Sequence, residues 1–128
     1  MNRDVLEACL RVQPAALDSY PFGESWQVFK VKGKMFAVIA ERAGRLSVNL
    51  KCDPVEAQML RDIFPDVTPG YHMNKRHWNT VYVDGELPVG EVERMIENSW
   101  ALVVKGLKKS EREALKLLQA QQQDNASC

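Results

Sequence analysis

The sequence predicts an α+β fold: a two-layer domain in which an antiparallel sheet carries helices on one face, in the order α-β3-α-β2-α-α. Three observations lead there. Trp26 to Val31 and Met35 to Ala40 are rich in aromatic and β-branched residues and are joined by the tight Lys32-Gly33 turn, a hairpin pattern. Leu46, Val48 and Leu50 alternate with Ser47, Asn49 and Lys51, as in a strand buried on one side. Apolar residues elsewhere recur at helical spacing. Antiparallel neighbours need only short turns, and most turns here are short.

The elements follow in order. Val5, Leu6, Cys9 and Leu10 are interleaved with Arg3, Glu7 and Arg11, which predicts a first helix capped by Asn2. Gln13-Pro14 ends it, because the residue before a proline is pushed out of the helical region. Asp18 to Glu24 holds Ser, Pro and Gly and is expected to be a loop. The three strands come next, with Ala43-Gly44 as their second turn. In Asp53-Pro54-Val55-Glu56 the Asp caps a helix, the Pro takes its first position and the Glu completes a capping box. Val55, Met59, Leu60, Ile63 and Phe64 are the expected buried stripe, and Pro65 closes the helix. Two strands, Thr68 to Met73 and Trp78 to Val83, flank a polar tip, and Asp84-Gly85 turns the chain out. Pro88 opens a long helix with Val92, Met95, Ile96, Ser99, Leu102 and Val103 on or near one face and Gly106 at its end. Ser110-Glu111-Arg112-Glu113 is a second capping box, opening a last helix with Leu115 and Leu118. Residues 1–118 are expected to form one domain and the polar residues 119–128 a flexible tail.

Composition narrows the function classes. The chain has 128 residues, 45% hydrophobic, enough for one core. Lys+Arg and Asp+Glu both number 17, so the net charge is zero and the pI is about 6.7. A protein that coats nucleic acid by bulk charge is strongly basic, so any anionic partner must be met by a local patch. No apolar run approaches the ~18 residues of a membrane span, and Met1-Asn2-Arg3-Asp4 lacks a signal-peptide layout, so no membrane partner is expected. Cys9, Cys52 and Cys128 are odd in number and widely spaced, as expected for reduced cytoplasmic thiols.

The segment Pro69-Gly70-Tyr71-His72-Met73-Asn74-Lys75-Arg76-His77-Trp78-Asn79 stands apart. It holds two histidines, two cations and two aromatics, with no carboxylate. Together with Trp26-Gln27-Val28-Phe29-Lys30-Val31-Lys32-Gly33-Lys34-Met35-Phe36-Ala37, it resembles the MmcQ/YjbR family of small bacterial proteins. Asn49-Leu50-Lys51-Cys52-Asp53-Pro54 matches a third family block. Ser99-Trp100-Ala101-Leu102-Val103-Val104 is similar to a fourth, with Trp100 for the usual Tyr. Val89 departs from the family's Asp, and Lys108 from a common Pro. The likeness runs from the first helix to about Leu107. It implies a fold similar to CyaY-like domains and type III secretion chaperones. It also implies DNA contact through two projecting β-hairpins, a double wing, and no catalytic residue or cofactor. On this chain the wings are the Lys32-Gly33 turn and the Asn74-Lys75-Arg76 turn.

The residues themselves support several chemistries. Lys75 and Arg76 at a hairpin tip can hold phosphates, and Asn74 and His72 can add finer recognition, although solvated tips are commonly polar too. Trp78 and Tyr71 could stack on bases, but cross-strand packing is favoured. Lys30, Lys32 and Lys34 crowd the first hairpin, with Arg45 and Lys51 nearby and only Glu41 opposing them. Alternation puts Lys30 and Lys32 on one face, where edge lysines also block aggregation. His72 and His77 could face each other with Cys52 as a third metal ligand, or serve Cys52 as a base. No ligand spacing or orienting group supports either, and no cofactor or metal is expected.

The leading expectation is a non-enzymatic cytoplasmic protein, a monomer or weak dimer, that binds DNA or another polyanion. Its contacts would be Lys30, Lys32, Lys34, Lys51, His72, Asn74, Lys75, Arg76, His77 and Trp78. The alternative is a protein- or peptide-binding, chaperone-like module that uses a sheet edge or groove. The third is a small-molecule-binding protein or enzyme centred on His72.

Overall fold

A computed structural model describes the chain from residue 1 to residue 126. The helices are α1 (Arg3–Arg11), α2 (Pro54–Ile63), α3 (Val89–Lys105) and α4 (Lys109–Ala126). The strands are β1 (Ala16–Ser19), β2 (Trp26–Val31), β3 (Lys34–Arg42), β4 (Arg45–Lys51), β5 (Val67–Pro69) and β6 (Trp78–Tyr82). All six join one antiparallel sheet in the order β1-β2-β3-β4-β6-β5. The architecture is therefore α+β, with one more strand than expected.

The two central hairpins form for the reason the sequence suggests. Lys32 and Gly33 both have positive φ (49° and 78°), as do Ala43 and Gly44 (52° and 76°). Such two-residue turns match the right-handed twist of their flanking strands. The caps of α1 and α2 agree as well: the Asn2 side chain accepts from the Val5 N–H, and Asp53 accepts from the Val55 and Glu56 N–H groups, although the Glu56 carboxylate pairs with Arg94 and does not complete a capping box.

The helix-facing side of the sheet presents Phe29, Val31, Ile39, Val48, Leu50 and Val81. These pack with Leu6 and Leu10 of α1, Leu60 of α2, Ile96 and Val103 of α3, and Leu115 of α4. Phe36 is an extra residue on β3, because Phe29 pairs with Ala37 while Lys30 pairs with Met35. This bulge leaves the Phe36 carbonyl to accept from the Ser99 hydroxyl at 2.6 Å. The Ser99 oxygen in turn accepts the Lys51 N–H at 2.8 Å.

Four expectations are corrected. Residues expected to be loop from Asp18 include the end of β1, held by the Arg11–Asp18 ion pair and by the Gln27 amide donating to Asp18. The α2 stripe is rotated: Ala57 and Leu60 face the core, while Val55, Met59 and Ile63 are 71%, 55% and 61% exposed. The inward face is fixed by polar bonds that periodicity does not register, since Arg61 and the Ala57 carbonyl both bond Asn79 of β6. The strand expected over Thr68 to Met73 stops at Pro69. Ser110 lies inside the first turn of α4 instead of capping it, and the Arg112 N–H reaches the Lys108 carbonyl. The tail expected at 119–128 falls partly within α4 and partly on 127–128, outside the described residues.

Candidate functional site

Strand directions place the Lys32-Gly33 turn, the end of β4 at Lys51 and the start of β6 at Trp78 at one end of the sheet. The loop 70–77 joins β5 to β6 at this same end. Neighbouring strands stand roughly 4.8 Å apart, so the turn and the loop are separated by about 15 Å across β3, β4 and β6. Lys32 and Lys34 are exposed, Lys51 is half-buried, and Arg76 is exposed. Among the described residues, none of Lys30, Lys32, Lys34, Lys51, Lys75 and Arg76 makes an ion pair.

The arginines elsewhere are arranged differently. Arg3, Arg11, Arg45 and Arg94 each pair with two carboxylates. Arg45, grouped by sequence with the lysines, is bound by Asp84 and Asp66, which raise its guanidinium above the ordinary value. Asp84 stays below the usual carboxylate range despite its desolvation, because Arg45 and the Leu46 N–H bond it. Arg45 is thereby withdrawn from the cationic patch.

The loop 70–77 does not project. Gly70 lets it pass against β6: an added Cβ would stand 2.8 Å from the Trp78 Cβ and 2.9 Å from the Trp78 oxygen. Arg61 of α2 donates to the carbonyls of Lys75 and Trp78. Lys75 donates its own ammonium to the Gly70 oxygen at 2.9 Å, Asn74 caps the Arg76 N–H at 3.0 Å, and the His77 carbonyl accepts the Cys52 N–H at 2.7 Å. Lys75, Asn74 and His77 therefore hold the loop together, and Arg76 is left as its outward cation. Trp78 is half-buried opposite Lys51.

His72 goes elsewhere. The chain turns through a left-handed residue there, φ 60°, and lays Tyr71 and His72 over the sheet face away from the helices. The Tyr71 N–H donates to the Thr80 hydroxyl at 2.9 Å. The His72 ring lies 4.0 Å from that of Tyr71 and 6.0 Å from that of Trp26. Lys30 belongs to this second face too, as the cross-strand partner of Met35 and Leu17. The structure thus brings Lys32, Lys34, Lys51 and Arg76 to one end, and separates His72 from them.

Cys52 is buried, and desolvation, helped by Glu56 and Asp53, pushes its thiol up to about 11. A thiol so raised is a packed side chain, not a nucleophile. No group of three or more metal-ligating side chains forms among the described residues, and no helix there is long and apolar enough to cross a membrane. The residues that sequence reasoning missed are Arg61, Gly70 and Arg42. The Arg42 guanidinium lies 3.8 Å over the Tyr71 ring. Their partners are distant in sequence, and only the alternation of Ser47 and Asn49 pointed to a polar second face.

Comparisons with known proteins agree on one kinship. The YjbR family model matches residues 12–102. The chain is 40% identical over 97 residues to the uncharacterised protein YbdF of Escherichia coli O157:H7, covering 76% of this chain and 80% of that one. It is 34% identical over 112 residues to the uncharacterised protein YjbR of E. coli K12, covering 88% and 94%. Among solved structures, Deinococcus radiodurans protein DR2400, a DUF419 domain, superposes with a TM-score of 0.81 at 36% identity, covering 88% of this chain and 86% of that one. A Pseudomonas syringae protein follows at 0.72 and 26%, covering 80% and 99%.

Proposed function

The chain belongs to the YjbR family, and from that premise and the charge layout we infer that the lysine end of the sheet binds a polyanion, DNA in particular. One observation carries this reading. At zero net charge, the cations at that end stand without carboxylate partners among the described residues, while Arg3, Arg11, Arg45 and Arg94 elsewhere are paired. Lys32, Lys34, Lys51 and Arg76 span about 15 Å, and a nucleic-acid strand offers a phosphate every ~3.4 Å along its axis. Arg76 can fork onto one phosphate, and the lysines act as mobile point charges. The surface is a cationic ledge and not a pair of projecting wings, because the second tip is folded down.

The test is fluorescence anisotropy with labelled duplex and single-stranded DNA at two salt concentrations. Lys32→Ala/Lys34→Ala/Arg76→Ala should weaken binding and flatten the salt dependence by about 0.9 for each duplex phosphate that is no longer neutralised. Lys75 is left intact because it holds Gly70. Equal binding by the triple variant overturns the reading. Salt-insensitive binding would also overturn it, since phosphate neutralisation would then carry none of the affinity.

A further inference from the structure

We propose that the sheet face away from the helices carries a second site, which takes a small flat aromatic anion between Trp26, Tyr71 and Arg42. A cleft of about 270 Å³ opens there, near the lower end of the ~300–1,000 Å³ typical of ligand pockets. Trp26 and Tyr71 line its walls, with Arg42 over the Tyr71 ring, and Ser47, Asn49 and Thr80 line it as well.

The cation is held but not consumed. The Arg42 Cζ stands 3.8 Å from the centre of the Tyr71 ring, so the guanidinium lies over the ring, and among the described residues no side chain or carbonyl takes its N–H groups. Glu41, its neighbour at the cleft, is paired with Arg3 at 3.7 Å. Among the described residues no carboxylate lies within ion-pair distance of Arg42, unlike Arg3, Arg11, Arg45 and Arg94. A planar carboxylate or phosphate meets a guanidinium edge with two parallel hydrogen bonds.

The polar lining is almost fully buried: Ser47, Asn49 and Thr80 are 3%, 3% and 2% exposed. The Asn49 oxygen accepts from the Thr80 hydroxyl, and its amide nitrogen donates to the Tyr71 carbonyl at 3.5 Å. A side-chain amide has two donors and two lone pairs, so one N–H and one lone pair of Asn49 stay open. Ser47 donates to the Ala40 carbonyl and keeps its acceptor capacity. Open valences on a buried lining suit the polar edge of a ring and are costly against a purely apolar one. The Tyr71 wall is positioned in advance by the bond to Thr80 and the left-handed turn at His72. Beyond Trp26 a second, apolar depression with Phe22, Met35 and Val38 gives a ring room to extend.

The probes are naphthoate and its neutral counterpart naphthamide, titrated into the isotope-labelled full chain and followed by two-dimensional amide NMR. Naphthoate is expected to shift the Trp26 indole N–H, the Asn49 side-chain amide and the Tyr71 backbone. It should bind about tenfold more tightly than naphthamide, as one charge-assisted pair provides. Arg42→Gln, at an exposed position, should erase that preference. Lys32→Ala/Lys34→Ala/Arg76→Ala should leave it intact, which separates this site from the lysine end. Three results would overturn the proposal: no saturable shifts at millimolar naphthoate, shifts confined to the Phe22 and Met35 side or to the lysine end, or an undiminished preference in Arg42→Gln.

Discussion

One hydroxyl ties the helical layer to the sheet. Ser99 is fully buried, donates to the Phe36 carbonyl and accepts the Lys51 N–H, two backbone groups that the bulge and the strand end leave without ladder partners. Ser99→Ala removes both bonds at once and leaves a buried acceptor and a buried donor unpaired. Each such group costs about 1–3 kcal/mol, and a small void relaxes part of that, so the expected destabilisation is about 2–4 kcal/mol in urea unfolding with an unchanged m-value. A change below about 0.5 kcal/mol, the scatter of neutral surface substitutions, would mean the two groups find other partners. The period of α3 places Ser99 on its buried face. It does not show the partners, which lie 48 and 63 residues away. The role of Trp100 is hidden for a related reason: its ring is buried and its indole N–H reaches the Pro14 carbonyl at 3.0 Å, 86 residues away.

Elements are legible where a local rule decides the backbone, and misplaced where a tertiary bond does. The turns at Lys32-Gly33 and Ala43-Gly44 and the Asn2 and Asp53 caps are local, and each stands where the residue types put it. The 70–77 loop is the contrary case. Its composition marks it out, yet nothing in its residues reveals that Arg61, on another element, gathers its carbonyls, or that Tyr71 docks on Thr80. The loop's path depends on Gly70. An alanine there would place a Cβ 2.8 Å from the Trp78 Cβ and 3.0 Å from the Met73 Cβ, both attached directly to backbone. Neither atom can swing away, so the loop itself must lift. Gly70→Ala should cost about 1–3 kcal/mol, as overpacking does. It should also release Tyr71 and His72 from the second face, seen as weakened nuclear Overhauser effects to Trp26 and a changed near-ultraviolet dichroism. Wild-type stability with wild-type aromatic packing would show that the close approach is relieved more cheaply than this geometry allows.

Across the protein, composition conceals the property that matters most for binding. Equal counts of acids and bases describe a neutral chain, but the fold sorts them in part, with Asp53 and Glu56 remaining beside Lys51. Lys32, Lys34, Lys51 and Arg76 gather where β2 meets β3, β4 ends and β6 begins. Asp66 and Asp84 lie past the opposite ends of β5 and β6, where they close on Arg45. Glu93 and Glu97 sit on α3, in the helical layer, with no cation paired to either among the described residues. A neutral sphere with mixed charges has no reason to adhere to a polyanion, whereas a sorted one can present its cationic end. The protein should therefore be retained on a phosphate-bearing cation exchanger at pH 6.7, its own isoelectric point, and should elute at modest salt because few charges take part. Lys32→Ala/Lys34→Ala/Lys51→Ala, measured at its own shifted isoelectric point, should pass straight through. Matching net charge in this way removes the trivial explanation. Retention that survived the three substitutions would place the adhesive charge elsewhere on the surface, and the lysine end would then be an ordinary solvated strand terminus.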